Sequence, residues 1–188
     1  MKKKLLLIAA LVASVCLQAA SIQWETDPDM SNLVGPSGSA LGAGKIAYLL
    51  YGSSTGVAAS IQDATFTTNY GGATFVASAL SNADGYYDTA TNNKYVASGI
   101  TATGSLDFFL VLFDAATVDD ASNFQISSAL TKAPYDETDP TSAPTSITFG
   151  DGQITGTWTQ ITTDVPEPTV LALLALGVAG LALKRKHF

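Results

Sequence analysis

Apolar and polar positions divide the 188-residue chain into three unlike stretches. Residues 5–17 and 169–183 are uncharged, mainly aliphatic runs. Between them, short apolar or alternating segments are cut every few residues by Gly, Asn, Asp, Ser and Thr, the texture of strands joined by turns rather than of long helices. Residues 21–25 predict a first strand with Ile22 and Trp24 on one face, and Asp27-Pro28-Asp29 breaks it. Residues 33–44 read as a glycine-rich loop, and 45–51 as a strand too apolar to be exposed on either face. A short helix is expected over 56–64. Strands follow over 65–70 and 73–80, with Gly71-Gly72 as a hairpin turn between them. Asn82-Ala83-Asp84-Gly85 predicts a turn, because Asn, Asp and Gly tolerate left-handed backbone. Strands are expected over 86–88 and 94–100.

The strongest core segment is 105–114, where Leu106, Phe108, Phe109, Leu110, Val111, Leu112 and Phe113 predict a central strand. Each such side chain contributes about 1.5–3 kcal/mol when fully buried. Residues 123–130 predict a further strand or short helix. Residues 132–145, with Pro134, Pro140 and Pro144, cannot form a central strand and read as an edge-covering loop. Residues 146–149 and 153–161 suggest a terminal hairpin around Gly150-Asp151-Gly152. The sum is an all-β domain over 21–163, an antiparallel β-sandwich of jelly-roll or immunoglobulin-like type, flanked by a signal helix and a C-terminal transmembrane helix. No fixed-period repeat points to a solenoid.

The two flanking runs carry addresses. Lys2, Lys3 and Lys4 precede the apolar run 5–17, and small residues follow at Ala19, Ala20 and Ser21, the layout of a secretory signal peptide (1–20). Cleavage is expected between Ala20 and Ser21, with the bond after Ala19 as the neighbouring choice. Export would then use the Sec translocon and signal peptidase. Cys16 is read as one more apolar residue of the discarded segment, since Val15 before it is too large for a lipidation box.

At the other end, Pro166 and Pro168 fix their own φ and hold Val165 and Glu167 extended, so Val165-Pro166-Glu167-Pro168-Thr169 is a rigid, exposed peptide. The run that follows includes Thr169, Leu171, Leu173, Leu174, Leu176, Leu181 and Leu183, fifteen residues in all without a charge. As a helix it spans about 22 Å at ~1.5 Å per residue. A bilayer core is roughly 30 Å thick, so the span is short and relies on interfacial residues and on Lys184, Arg185 and Lys186 reaching the headgroups. Those three basic residues mark the cytoplasmic side.

An extended Pro-Glu-Pro, a short Leu-rich span with Gly177 and Gly180, and a basic terminus resemble the PEP-CTERM sorting signal of Gram-negative bacteria. The resemblance covers residues 164–188. It implies recognition of Pro166, Glu167 and Pro168 by an exosortase, a membrane-embedded cysteine-dependent protease or transpeptidase, with Thr169 to Lys186 as a transient anchor. The exported part would then reach the cell surface or the extracellular space. Glu167 is the only charge between Asp164 and Lys184 and is expected to contact a basic pocket of that enzyme. The resemblance leaves the activity of 21–163 open.

Setting the two ends aside changes the charge picture. Residues 21–163 hold fourteen acidic residues and only Lys45, Lys94 and Lys132, a net charge of −11. Such a domain lacks the basic face that nucleic-acid phosphates require. Cys16 is the only cysteine and lies in the signal, so disulfides and thiolate metal sites are excluded from the exported part. The sole histidine, His187, lies beyond the anchor, which removes Ser-His-Asp, Cys-His and histidine-zinc chemistry.

What chemistry remains is built from oxygen and aromatic rings. Calcium is the one cofactor the composition allows, with oxygen ligands from Asp27 and Asp29, Asn82 and Asp84, Asp119 and Asp120, or Asp136, Glu137 and Asp139. No metal is assigned. A pair of carboxylates in one cleft would suit a glycan hydrolase. Thr65 and Thr67, Thr101 and Thr103, and Thr155, Thr157 and Thr159 would suit a flat ice-binding surface if they lay on adjacent strands. Tyr86, Tyr87 and Tyr95 would suit a glycan-binding surface. The reading favoured is a non-enzymatic surface or extracellular-matrix protein associated with exopolysaccharide, with a carbohydrate-binding or adhesive module as the alternative.

Overall fold

The computed structural model describes residues 20–31, 33–88, 94–102, 104–136 and 144–162. The signal run, the Pro-Glu-Pro motif, the apolar span and the basic terminus lie outside these residues. The segment predicted as the strongest core former is the strand around which the larger sheet is built. β1 (Ala20–Thr26), β2 (Ile46–Tyr51), β3 (Thr74–Leu80), β4 (Tyr95–Ile100) and β5 (Leu106–Phe113) are the long strands. β6 (Asn123–Ile126), β7 (Leu130–Lys132), β8 (Tyr135–Asp136), β9 (Ser146–Phe149) and β10 (Thr159–Gln160) are short, and α1 (Val57–Gln62) is one six-residue helix.

β5 pairs with β2 along one edge, and with β6 and β7 in succession along the other. Where β6 gives way to β7, Ser127 fills the gap. Its hydroxyl accepts from the Leu110 N–H at 2.9 Å, and its own N–H donates to the Leu110 carbonyl. The sheet runs β10-β6-β5-β2-β3. Phe108 through Phe113 are all buried, because layers cover both faces of this sheet.

One covering layer is the second sheet. β1 is its centre, paired with β4 on one side and with β8 and β9 on the other. Ile22 and Trp24 from β1, Ala97 and Ile100 from β4, and Ile147 and Phe149 from β9 meet Ala47, Leu49, Phe108, Leu110 and Leu112 of the larger sheet in one inner core. The other layer is α1 with the loop behind it. Val57, Ile61 and Phe66 pack on Leu50, Phe109, Val111, Phe113 and Phe124 across the sheet's outer face.

The all-β, two-sheet expectation therefore holds, with several corrections in detail. The β1–β9 pair is parallel, so the fold is not purely antiparallel. Residues 150–153 form a turn, but no terminal hairpin follows: β9 joins β1, whereas β10 crosses to β6 in the other sheet. Residues 65–70 are turns rather than a strand, and Gly71-Gly72 is not a hairpin tip. Residues 86–88 form no strand, since Thr26 takes their backbone: the Thr26 hydroxyl accepts from the Tyr87 N–H, and the Thr26 N–H donates to the Tyr87 carbonyl. Ala20, next to the expected cleavage bond, is already the first residue of β1 and pairs with Ile100 and Asp136. Among the described residues no helix is long and apolar enough to cross a membrane.

Candidate functional site

Two places bear on function: the exit of the domain toward its C-terminal tail, and the polar and aromatic surface around it. The exit is clamped. Gln62, at the end of α1, donates through Nε2 to the Gln160 carbonyl at 2.8 Å, and its Oε1 accepts from the Thr162 N–H at 2.8 Å and the Thr162 hydroxyl at 3.1 Å. The Ile161 N–H donates to the Ser122 carbonyl, and the Ile161 side chain packs on the outer core. Upstream, the Trp158 indole N–H donates to the Val34 carbonyl at 2.7 Å. The chain is thus held to the domain as far as Thr162, four residues before Pro166.

The sites expected from sequence separate clearly. Pro166, Glu167, Pro168, Thr169, the anchor leucines and Lys184 to Lys186 lie outside the described residues. Tyr87 does not line a surface: it is fully buried, its ring 6.5 Å from that of Trp24, which in turn lies 5.2 Å from Tyr95. Burial pushes the Tyr87 hydroxyl far above the ordinary tyrosine range, and the neighbouring Tyr95 adds to the shift. Tyr95 is half-buried, donates to the Leu80 carbonyl at 3.1 Å, and is also raised by burial, then by Asp88. Tyr86 packs against the inner core. Tyr87 and Trp24 are interior structure, with Trp24 Nε1 and the Tyr87 hydroxyl buried and lacking a partner, whereas Tyr86 and Tyr95 are only partly buried.

The threonines do not form a flat ladder either. Thr65 and Thr67 sit in turns, Thr101 follows β4, Thr103 lies outside the described residues, and of Thr155, Thr157 and Thr159 only Thr159 belongs to a strand. Most of the loop acids have local work. Asp27 Oδ1 accepts from the Asp29 N–H, and Asp151 accepts from the Ser31 N–H and hydroxyl across 120 residues of sequence. Asn82 Oδ1 accepts from the N–H groups of Asp84 and Tyr86, and its amide donates to Asp88. Asp114 accepts from Ser122 and Asn123, and Asp120 from Thr117. Glu25 pairs with Lys94 at 2.8 Å, one of the domain's three lysines. Among the described residues no three His, Cys, Asp or Glu side chains converge in a way that could hold a metal ion. Glu137 and Asp139 lie outside them.

Sequence reading missed a second aromatic group, on the outside of the larger sheet. Tyr48 from β2, Tyr70 from the loop after α1 and Phe75 from β3 gather over Phe66. Phe66 meets Tyr48 and Tyr70 edge-on at 5.2 Å each. Tyr70 and Phe75 lie nearly parallel, 19° apart at 5.5 Å, and Phe75 is 5.8 Å from Tyr48. A β-bulge makes this possible. Leu49 opposes Ala77 and Leu50 opposes Phe75, so Val76 is the extra residue. Val76 and Ala77 both pack toward the inner core, and strand alternation resumes with Phe75 on the outer face. Beside Phe66 lies a cavity of about 150 Å³ lined also by Ile61, Thr67, Val118, Asp119 and Ile161. Burial raises the Tyr48 hydroxyl, with Tyr70 and Asp119 adding to the shift.

Comparison with known proteins places the address, not the cargo. No curated protein and no solved structure matches the chain. A family model, the PEP-CTERM protein-sorting motif, matches residues 164–186, beginning two residues beyond the Gln62 clamp. The match takes in Pro166-Glu167-Pro168, the apolar run and the basic cluster, so the chain carries a PEP-CTERM sorting motif, which implies export to the cell surface or beyond and processing by an exosortase-type membrane enzyme.

Proposed function

We propose that residues 21–163 form a non-enzymatic surface or extracellular-matrix protein, delivered by the signal run 1–20 and the Sec pathway and released at its C-terminal tail. The observation that carries this reading is the PEP-CTERM motif at 164–186, set directly behind a folded β domain whose last residues are clamped. In this reading Pro166, Glu167 and Pro168 enter the exosortase as an extended peptide, and Thr169 to Leu183 hold the chain in the inner membrane until the cut. Lys184, Arg185 and Lys186 keep the terminus on the cytoplasmic side. The clamp at Thr162 leaves only a few residues of reach, so the domain lies against the membrane surface while the enzyme works.

A structural rather than catalytic role for the domain is supported by where its acids sit. Asp27, Asp114, Asp120 and Asp151 accept hydrogen bonds that tie loops together, and the sole histidine is in the tail. A negatively charged, disulfide-free β domain suits a soluble existence outside the cell.

The test is intact mass and cell fractionation of the protein from its own host, compared with a variant carrying Pro166→Ala, Glu167→Ala and Pro168→Ala together. The wild type is expected to end near Val165 and to be found on the surface or in the medium, with the variant retained at full length in the inner membrane. If both forms keep Phe188 and stay membrane-bound, the tail is a plain anchor and the processing reading fails. A single Glu167→Ala variant processed at the wild-type rate would remove Glu167 as a specificity contact.

A further inference from the structure

We propose that the outer face formed by Tyr48, Tyr70 and Phe75 is a binding platform for an uncharged polysaccharide. The setting rests on the extracellular reading above; the platform itself rests on the geometry of the larger sheet. Exposed large apolar side chains are few in the described residues, and Phe75, 39% exposed, is one of three. It is the one that joins other aromatic rings. The bulge at Val76 sacrifices a regular strand pairing and leaves Phe75 outside, beside two tyrosines. Stability alone gives no reason for that arrangement, since a regular strand would turn Phe75 toward the inner core.

The rings are also held in place before any ligand arrives. Phe66, buried and edge-on to both tyrosines, is a fixed floor. The Tyr70 loop is pinned by a backbone crossing: Gly71 has φ +65°, and a Cβ at either Gly71 or Gly56 would overlap the other residue's backbone. Asn69 Oδ1 accepts from the Gly71 N–H at 3.0 Å and fixes the turn further. Preorganised rings lose little freedom on binding.

The chemistry of the face selects the ligand. Between Asp63 and Asp84 the chain has no charged residue, so the β3 side of the face offers neither an ion-pair partner nor an arginine anchor for a protein. It offers partly exposed aromatic rings, Tyr70 stacked on Phe75 and Tyr48 tilted beside them, with the phenols of Tyr48 and Tyr70, the amide of the adjacent Asn69 and the hydroxyl of Ser78, which opposes Tyr48, as polar groups. Among the described residues neither phenol has a protein hydrogen-bond partner. A pyranose ring is complementary to such a surface, with an apolar C–H face to stack on the negative face of a ring and a rim of hydroxyls to bond at the edge. Asp119, in the wall of the cavity that Phe66 also lines, and the net charge of −11 over residues 21–163 disfavour a polyanion. The ligand class is therefore a neutral glycan chain.

The experiment uses the protein as its host produces it, with the host's own extracellular polysaccharide separated into neutral and acidic fractions and microcrystalline cellulose as a further neutral probe. Binding isotherms are measured for the wild type and for Tyr70→Ala, Phe75→Ser and Val96→Ser. Val96 is 61% exposed on the other sheet and serves as the control. Wild type and Val96→Ser should bind a neutral probe, and Tyr70→Ala and Phe75→Ser should bind it about tenfold more weakly, the size of one lost ring contact. Asp119→Asn, which leaves the rings intact, should keep neutral binding and raise retention on the acidic fraction. The proposal is overturned if the wild type binds no neutral probe, prefers the acidic fraction, or loses nothing in the ring variants. Intact mass on the same samples reports tail processing separately, so a failure of sorting and a failure of glycan binding cannot be confused.

Discussion

Two aromatic clusters occupy opposite sides of the larger sheet, and their difference is instructive. Trp24, Tyr87 and Tyr95 stack between the sheets, where Tyr87 and Trp24 are fully buried and carry polar atoms without partners. Tyr48 and Tyr70, both partly buried, and Phe75, 39% exposed, sit outside on a buried Phe66. Both groups are tyrosine-rich, and nothing in their composition separates them. Position decides: the first group fills the volume between two sheets and contributes stability, whereas the second is left half open by a bulge and a glycine crossing. The Tyr87 hydroxyl costs the first group free energy, because its desolvation is uncompensated, whereas the outer tyrosines are only partly desolvated.

The largest expected effect is in the inner cluster. Trp24→Ala removes a fully buried indole at the centre of the smaller sheet and should lower unfolding stability by about 3–5 kcal/mol, read as a drop in the denaturant midpoint. A loss near zero would mean that the two sheets do not share the core described here. Next comes the support of the outer cluster. Gly71→Ala adds a Cβ where the Gly56 backbone already lies and demands a left-handed conformation of a non-glycine residue. Its expected cost is on the order of 2–3 kcal/mol. The tyrosine fluorescence of the outer face should change with it, since Tyr70 must move. An unchanged midpoint would show that the loop is free to shift and that the rings are not held in place.

Much of this fold could be read in the chain before the coordinates. The strands at 46–51, 74–80, 95–100 and 106–113 and the helix at 57–62 follow from local periodicity, because each buries a face that its own residues define. Long-range partners are not encoded locally. The parallel alliance of β9 with β1 and the crossing of β10 to β6 depend on where remote edges lie, and residues 153–161 look like half of a hairpin until their partner is known. The same holds for the sites. The Pro-Glu-Pro tail is legible because its information is linear: two prolines, an apolar run and three basic residues. The aromatic platform is not, since Tyr48, Tyr70 and Phe75 come from three elements, and a one-residue bulge reverses the side on which Phe75 emerges. Adjacent tyrosines at 86 and 87 attract attention in sequence, yet Tyr87 is bonded through its backbone to Thr26 and turned inward.

The smallest effect discriminates the clusters most sharply. Tyr87→Phe deletes a buried hydroxyl that has no hydrogen-bond partner and leaves the ring stack with Trp24 intact. At neutral pH it should be neutral or stabilising by up to ~1 kcal/mol. The pH dependence gives the sign. Burial raises the Tyr87 pKa above the ordinary tyrosine value of about 10, so in the folded state the phenol stays protonated where an unfolded tyrosine ionises. The unfolded state is therefore favoured as pH rises through that value, and the stability is fully present only below it. Urea midpoints should fall on the alkaline side of about pH 10 for the wild type and fall less steeply for Tyr87→Phe. Tyr48→Phe, removing a hydroxyl that is only partly buried, should leave the alkaline slope closer to that of the wild type. Equal slopes for wild type and Tyr87→Phe would mean that the Tyr87 hydroxyl reaches water. The distinction between an interior cluster that serves the fold and an exterior one that is free to serve a ligand would then lose its physical basis.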